Sequence, residues 1–139
     1  MKWALLYVLT ATVTGLHNFY QLMWMIWGAP INLLNCTALL GSTVLLLAAV
    51  LALYRARVTA GVGLAGSILV WVYYGPFLFF AILAPSSFWG DLQFNFKFHD
   101  YVPVIGPSLG IPLLVLSTIH SVSALRRDRL GQSVGKSVE

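Results

Sequence analysis

Residues 31–54 read INLLNCTALLGSTVLLLAAVLALY, and Arg55-Ala56-Arg57 follows at once. The stretch contains no Asp, Glu, Lys or Arg. A helix rises about 1.5 Å per residue, so crossing the hydrocarbon core of a bilayer takes about 20 mostly apolar residues. Residues 31–54 meet that length, and the two arginines mark where the chain returns to water. In lipid the backbone must satisfy its own hydrogen bonds, which makes a helix the form such a stretch takes.

Working outward, the same pattern recurs at residues 3–27, 58–84 and 104–125, again without Asp, Glu, Lys or Arg. The breaks fit helix chemistry. Gly28-Ala29-Pro30 ends one helix and starts the next, because proline suits a first helical turn. Pro85-Ser86-Ser87 ends the third segment. The expected fold is all-α: a four-helix transmembrane bundle with short connections and one long outer loop between helices 3 and 4. Residues 1–125 form its single domain. Residues 126–139 form a basic, polar cytoplasmic tail that is expected to fray.

Composition agrees. Of 139 residues, 59% are hydrophobic and 9% charged, whereas a soluble domain carries about 25% charged residues. The net charge of +4 raises the question of nucleic acid, but the basic residues gather at helix ends rather than along one face, so no nucleic-acid partner is expected. With four crossings Lys2, Arg55, Arg57, Arg126, Arg127, Arg129 and Lys136 share one side, and only Lys97 takes the other. Cytoplasmic loops carry the Lys/Arg excess, which places both termini inside. The chain is expected to be a multi-pass protein of the plasma (inner) membrane, although this charge bias does not itself distinguish one membrane from another. Trp24, Trp27, Phe88 and Trp89 then fall at the outer boundary, and Trp3 and Tyr54 at the inner one, where amphipathic rings are favoured. Met1-Lys2 before an apolar run resembles a signal peptide. The run continues to Trp27, longer than a usual signal core, with no small-x-small cleavage site after it, so it is expected to stay as the first helix.

Polar residues inside apolar segments are the most informative positions. Thr10, Thr14, His17 and Gln21 recur at spacings of four, three and four, one stripe of a helix. Unbonded polar groups are costly in hydrocarbon, so the stripe should face the bundle interior or a water-filled cavity. Asn18 lies off it. By helical rise His17 and Tyr74 lie about 15 Å from the outer boundary, and Gln21 and Asn35 about 6–9 Å. His17, Gln21, Asn35, Trp71 and Tyr74 are therefore the candidate ligand-binding residues of an outward-facing polar pocket. Gly75-Pro76 beside them can kink the third helix. Interhelical hydrogen bonding is the alternative use of the same groups.

In the outer loop, Phe94, Phe96 and Phe98 alternate with Asn95, Lys97 and His99. Together with Trp89 they suit a flap on the lipid headgroups, a lid over the pocket, or a partner surface. Gly61-Val62-Gly63-Leu64-Ala65-Gly66 matches the dinucleotide glycine pattern literally, but that pattern needs a preceding strand. Here it is read as close helix packing through Gly61/Ala65 and Gly63/Ser67.

No metal site and no cofactor are expected. Cys36 is the only cysteine, and His99-Asp100 alone make a poor metal site. His17 and His120 differ in depth by about 13 Å, too far to ligate one haem iron. The apolar segments hold no carboxylate, so a proton-coupled exchanger of the small four-helix multidrug type would lack its coupling group. No Ser/His/Asp set, HExxH run or phosphate loop is present, and no catalytic residue is assigned. The leading expectation is a non-enzymatic accessory or structural subunit of a larger membrane complex. Its partners would be membrane lipids and either other proteins in the membrane or further copies of itself. A small-molecule or lipid-binding or transport protein is the alternative, and a membrane enzyme using an intramembrane histidine the second.

Overall fold

Four helices account for nearly all of the residues that the computed structural model describes, 2–26, 33–83 and 101–136. They are α1 (Lys2–Ile26), α2 (Leu33–Leu53), α3 (Thr59–Leu83) and α4 (Tyr101–Lys136). Each helix packs against two others, α1 on α2, α2 on α3, α3 on α4 and α4 on α1, which closes an all-α four-helix bundle. The diagonal from α1 to α3 is bridged by side chains. Tyr7 fills the space beside Gly63 and His17 bonds Tyr73, so the two helices keep a constant offset of 56 residues.

The interior is small and polar. Ala11, Ala38, Ala48 and Ala49 are buried with Thr10, Thr14, Ser42, Ser67, Ser117 and Ser121, around a core of Tyr7, Leu45, Val70, Tyr74 and Leu114. The outside is apolar: Leu33 is 78% exposed and Leu16 65%. A water-soluble fold distributes these residues the other way round. Among the described residues, Leu33–Leu53 and Gly106–Asp128 are long and apolar enough to cross a membrane. Of those windows, 33% and 22% are buried.

Hydroxyl groups tie the helices together in levels. The Ser121 hydroxyl donates to the Ser117 carbonyl, which leaves the Tyr7 hydroxyl to donate to Ser121 at 2.8 Å. Ser117 donates to the Leu114 carbonyl, so Ser67 donates to Ser117 at 3.2 Å. Thr14 and Ser42 meet at 2.8 Å between α1 and α2. Such contacts are the adhesive of helices in an apolar medium. The α2–α3 seam is closest at Gly41, where a Cβ would stand 2.8 Å from the Gly66 carbonyl oxygen. Two glycines let the backbones touch there.

The turn after α2 is a Schellman cap. The Ala56 N–H bonds the Leu51 carbonyl at 3.0 Å and the Arg55 N–H bonds the Ala52 carbonyl at 3.3 Å. The residue between, Arg55, has φ 54°. Glycine is usual at this position, and an L side chain in this conformation costs about 1–2 kcal/mol.

Helix ends fall close to their sequence expectations except in α4, which starts at Tyr101 and continues to Lys136. No break separates the basic segment at Arg126, because Ala124, Leu125, Arg126, Arg127, Arg129 and Leu130 are good helix formers. Pro76, Pro107 and Pro112 lie inside helices and each removes one i to i−4 bond, which frees the carbonyls of Val72, Pro103 and Ser108.

Candidate functional site

His17 sits where α1, α3 and α4 meet. It is only 3% exposed, and its Nε2 lies 3.3 Å from the Tyr73 hydroxyl. The imidazole is 5.8 Å from both the Tyr73 and Tyr74 rings, and those two rings meet edge to face at 5.0 Å. On the α4 side the wall is Gly106. A Cβ there would overlap the His17 ring at Nδ1 and Cγ, so glycine is what lets the imidazole approach the α4 backbone. Gly110, one turn on, is less crowded: an ideal Cβ there would make ordinary contact with the Thr14 methyl at 3.4 Å and the Tyr74 hydroxyl at 3.5 Å.

Beneath the imidazole lies a second buried pair. Asn18 and Tyr74 are fully buried, and Asn18 Nδ2 donates to the Thr14 carbonyl at 2.8 Å. The Asn18 Oδ1 and the Tyr74 hydroxyl make no well-aligned hydrogen bond, although the two side chains adjoin.

The cluster reaches the surface on one side. A groove of about 480 Å³ runs between α1 and α4, with Leu16, Phe19, Tyr20, Met23 and Leu109 on its walls and His17 with Gly106 at its floor. Leu16, Phe19 and Leu109 are exposed, so the groove opens on the apolar exterior rather than at an end of the bundle. A second groove of about 730 Å³, between α1 and α2, has Lys2 at its mouth and otherwise only apolar walls such as Leu5, Leu46 and Leu53.

Of the expected pocket residues, the structure brings His17 and Tyr74 together. The Thr14–Ser42 contact sets the α1–α2 register, which places buried Asn35 level with half-buried Gln21, one helical turn or about 6 Å beyond His17. Trp71 turns elsewhere: its Nε1 donates to the Thr118 hydroxyl at 3.1 Å, toward the other end of α4. Asn18, placed off the polar stripe by its spacing, is more deeply buried than Gln21. Of the four helix-packing residues, Gly63 and Ser67 face the interior, whereas Gly61 and Ala65 face out, and a Cβ at Gly61 would meet nothing within 4 Å. Trp89, Phe94, Phe96, Phe98 and His99 lie outside the described residues.

Sequence reasoning did not single out Tyr73, Gly106 or Gly110 as parts of the site. The signal for the glycines was present, since Gly106 and Gly110 are four apart on one helix face, the spacing that permits close approach. His120 belongs to a separate cluster. It stacks on Trp3 with ring centres 3.6 Å apart, 14 residues along α4 from Gly106, so about 21 Å separates it from His17 along the axis. One iron cannot bridge them. Compared with protein-family models, curated proteins and solved structures, the chain matches none.

Proposed function

We propose that this chain is a four-span protein of the inner membrane, with both termini in the cytoplasm, that binds a lipophilic molecule with a hydrogen-bonding head beside His17. Support for the membrane comes from the apolar exterior, the hydroxyl-bonded interior and the gathering of Lys2, Arg55, Arg57, Arg126 and Arg127 at one end. The observation that carries the binding reading is that one buried imidazole lines an otherwise mostly apolar groove open on the apolar exterior. Sites for small molecules join mostly apolar walls to a few placed polar groups. A tail would lie along Leu16, Phe19 and Leu109, and a carbonyl or hydroxyl head would reach the His17–Tyr73 pair.

The test uses the purified full chain in mild detergent and a long-chain fatty alcohol carrying a diazirine on its tail. Labelling is expected at Leu16, Phe19, Tyr20 or Leu109, and His17→Leu should lower it about tenfold, the value of one lost hydrogen bond to a buried partner. Leu109→Trp, which fills the groove from its rim, should block labelling without touching His17. Labels spread evenly over the helices, or unchanged by both folded variants, would sink the reading.

A second reading is favoured by Gly61 and Ala65. These small residues, four apart, leave a shallow outward face on α3 on which a helix of another subunit could approach closely. That face suits an accessory or structural subunit of a larger membrane complex. Isolation as a discrete monomer with nothing co-purifying counts against it.

A further inference from the structure

At the basic end of the bundle, the α2–α3 turn and the following face of α4 enclose a hollow of about 830 Å³. Three arginines line it, Arg55, Arg57 and Arg127, against one acidic residue, Asp128. With His120 neutral this leaves a charge of +2 around one cavity. Like charges gathered in this way repel unless an anion joins them. Arginine forks match the oxygens of a phosphate two at a time, which a lysine cannot do.

Two further features point to the same hollow. The first turn of α3, at Thr59 and Ala60, forms part of its wall. The Thr59 N–H is already bonded to the Ala56 carbonyl at 3.1 Å, so the helix end adds only the general preference of leading N–H groups for negative charge. The second is the backbone of Arg55, held at φ 54° in a cap that normally takes glycine. Strain of this kind is retained where a side chain has a task at that position. Topology alone would not require the arrangement. A positive inner side needs only a sufficient number of cations, and Lys2 and Arg126 add to that number from outside the hollow.

We propose that the hollow binds the phosphate of an anionic phospholipid headgroup, held by Arg55, Arg57 and Arg127 at the cytoplasmic surface. A lipid is favoured over a soluble phosphate because the apolar exterior runs up to the rim, where Leu53, Tyr54 and Val58 are 62%, 81% and 60% exposed. The acyl chains of a bound lipid would continue down that exterior while the phosphate stays among the arginines. Basic hollows between membrane helices on the cytoplasmic side recognise such headgroups. This site rests on the membrane reading above and is independent of the groove at His17.

The experiment titrates the full chain in mild detergent with dihexanoyl phosphatidylglycerol, dihexanoyl phosphatidylcholine and inorganic phosphate, following bound probe by native mass spectrometry. Phosphatidylglycerol should bind at least about tenfold more tightly than either alternative. Arg57→Gln with Arg127→Gln should weaken it about 25-fold, at about fivefold for each charge removed. Arg55→Gly should cost about fivefold while making the turn more stable, so its loss of binding could not be blamed on misfolding. Lys2→Gln with Arg126→Gln should leave binding nearly unchanged. Equal binding of phosphatidylcholine, equal binding of inorganic phosphate, or equal losses in the two double variants would each overturn the proposal. Flotation of the same protein with liposomes reports separately on the membrane reading. A chain that floats yet ignores phosphatidylglycerol removes the headgroup site alone.

Discussion

At the scale of single residues, the arrangement around His17 depends on an absent side chain. The imidazole occupies the space where a Cβ at position 106 would stand, so Gly106 and His17 are two halves of one contact. Gly106→Ala is expected to destabilise the bundle by about 1–3 kcal/mol, the usual cost of overpacking a filled interior. His17→Ala in the same chain should recover most of that loss, because the clash needs both partners. Thermal unfolding of the two single variants and the double variant in detergent checks this through a coupling term. Additive losses would show that the imidazole can move aside freely. The spacing of His17 in the sequence was enough to mark it as interior, since it shares a helix face with Thr10 and Thr14. Its partners were less legible. Tyr73 and Tyr74 are adjacent in sequence and both rings reach His17, but α3 alone cannot say which hydroxyl bonds the imidazole. That is decided by the 56-residue offset between the helices, which depends on how Tyr7 seats against Gly63.

At the scale of elements, all four helices were legible because each is a long uncharged run between turn residues, a signal that needs no knowledge of tertiary contacts. The exception is instructive. Charge marks where a chain leaves an apolar environment, but it does not stop a helix, and α4 runs through Arg126 and Arg127 as far as Lys136. The two small-residue pairs of α3 separate for a geometric reason. Gly61 and Ala65 lie about 160° around the helix from Gly63 and Ser67, since two residues turn a helix by about 200°. One pair must then face the bundle if the other faces out, and the sequence pattern alone does not choose. Tyr7 makes the choice, because its ring needs the space at Gly63. The remaining small face is where the accessory-subunit reading can be pursued.

At the scale of the whole molecule, the two ends of the bundle are built differently. The basic end has a fully bonded Schellman turn and the Tyr7–Ser121 tie. The freed carbonyls lie elsewhere. By the helix registers, those of Val72 and Ser108 both fall level with residue 16 of α1, and that of Pro103 falls farther out still. Backbone amides near the prolines should therefore exchange with deuterium sooner than those near Ser117 and Ser121, and mass spectrometry of peptides from the labelled chain would measure the gradient. Uniform protection would contradict it. If the gradient holds, the helices behave like tweezers: clamped at the arginine end, and yielding more easily around His17, where a guest could enter sideways without unfolding the bundle.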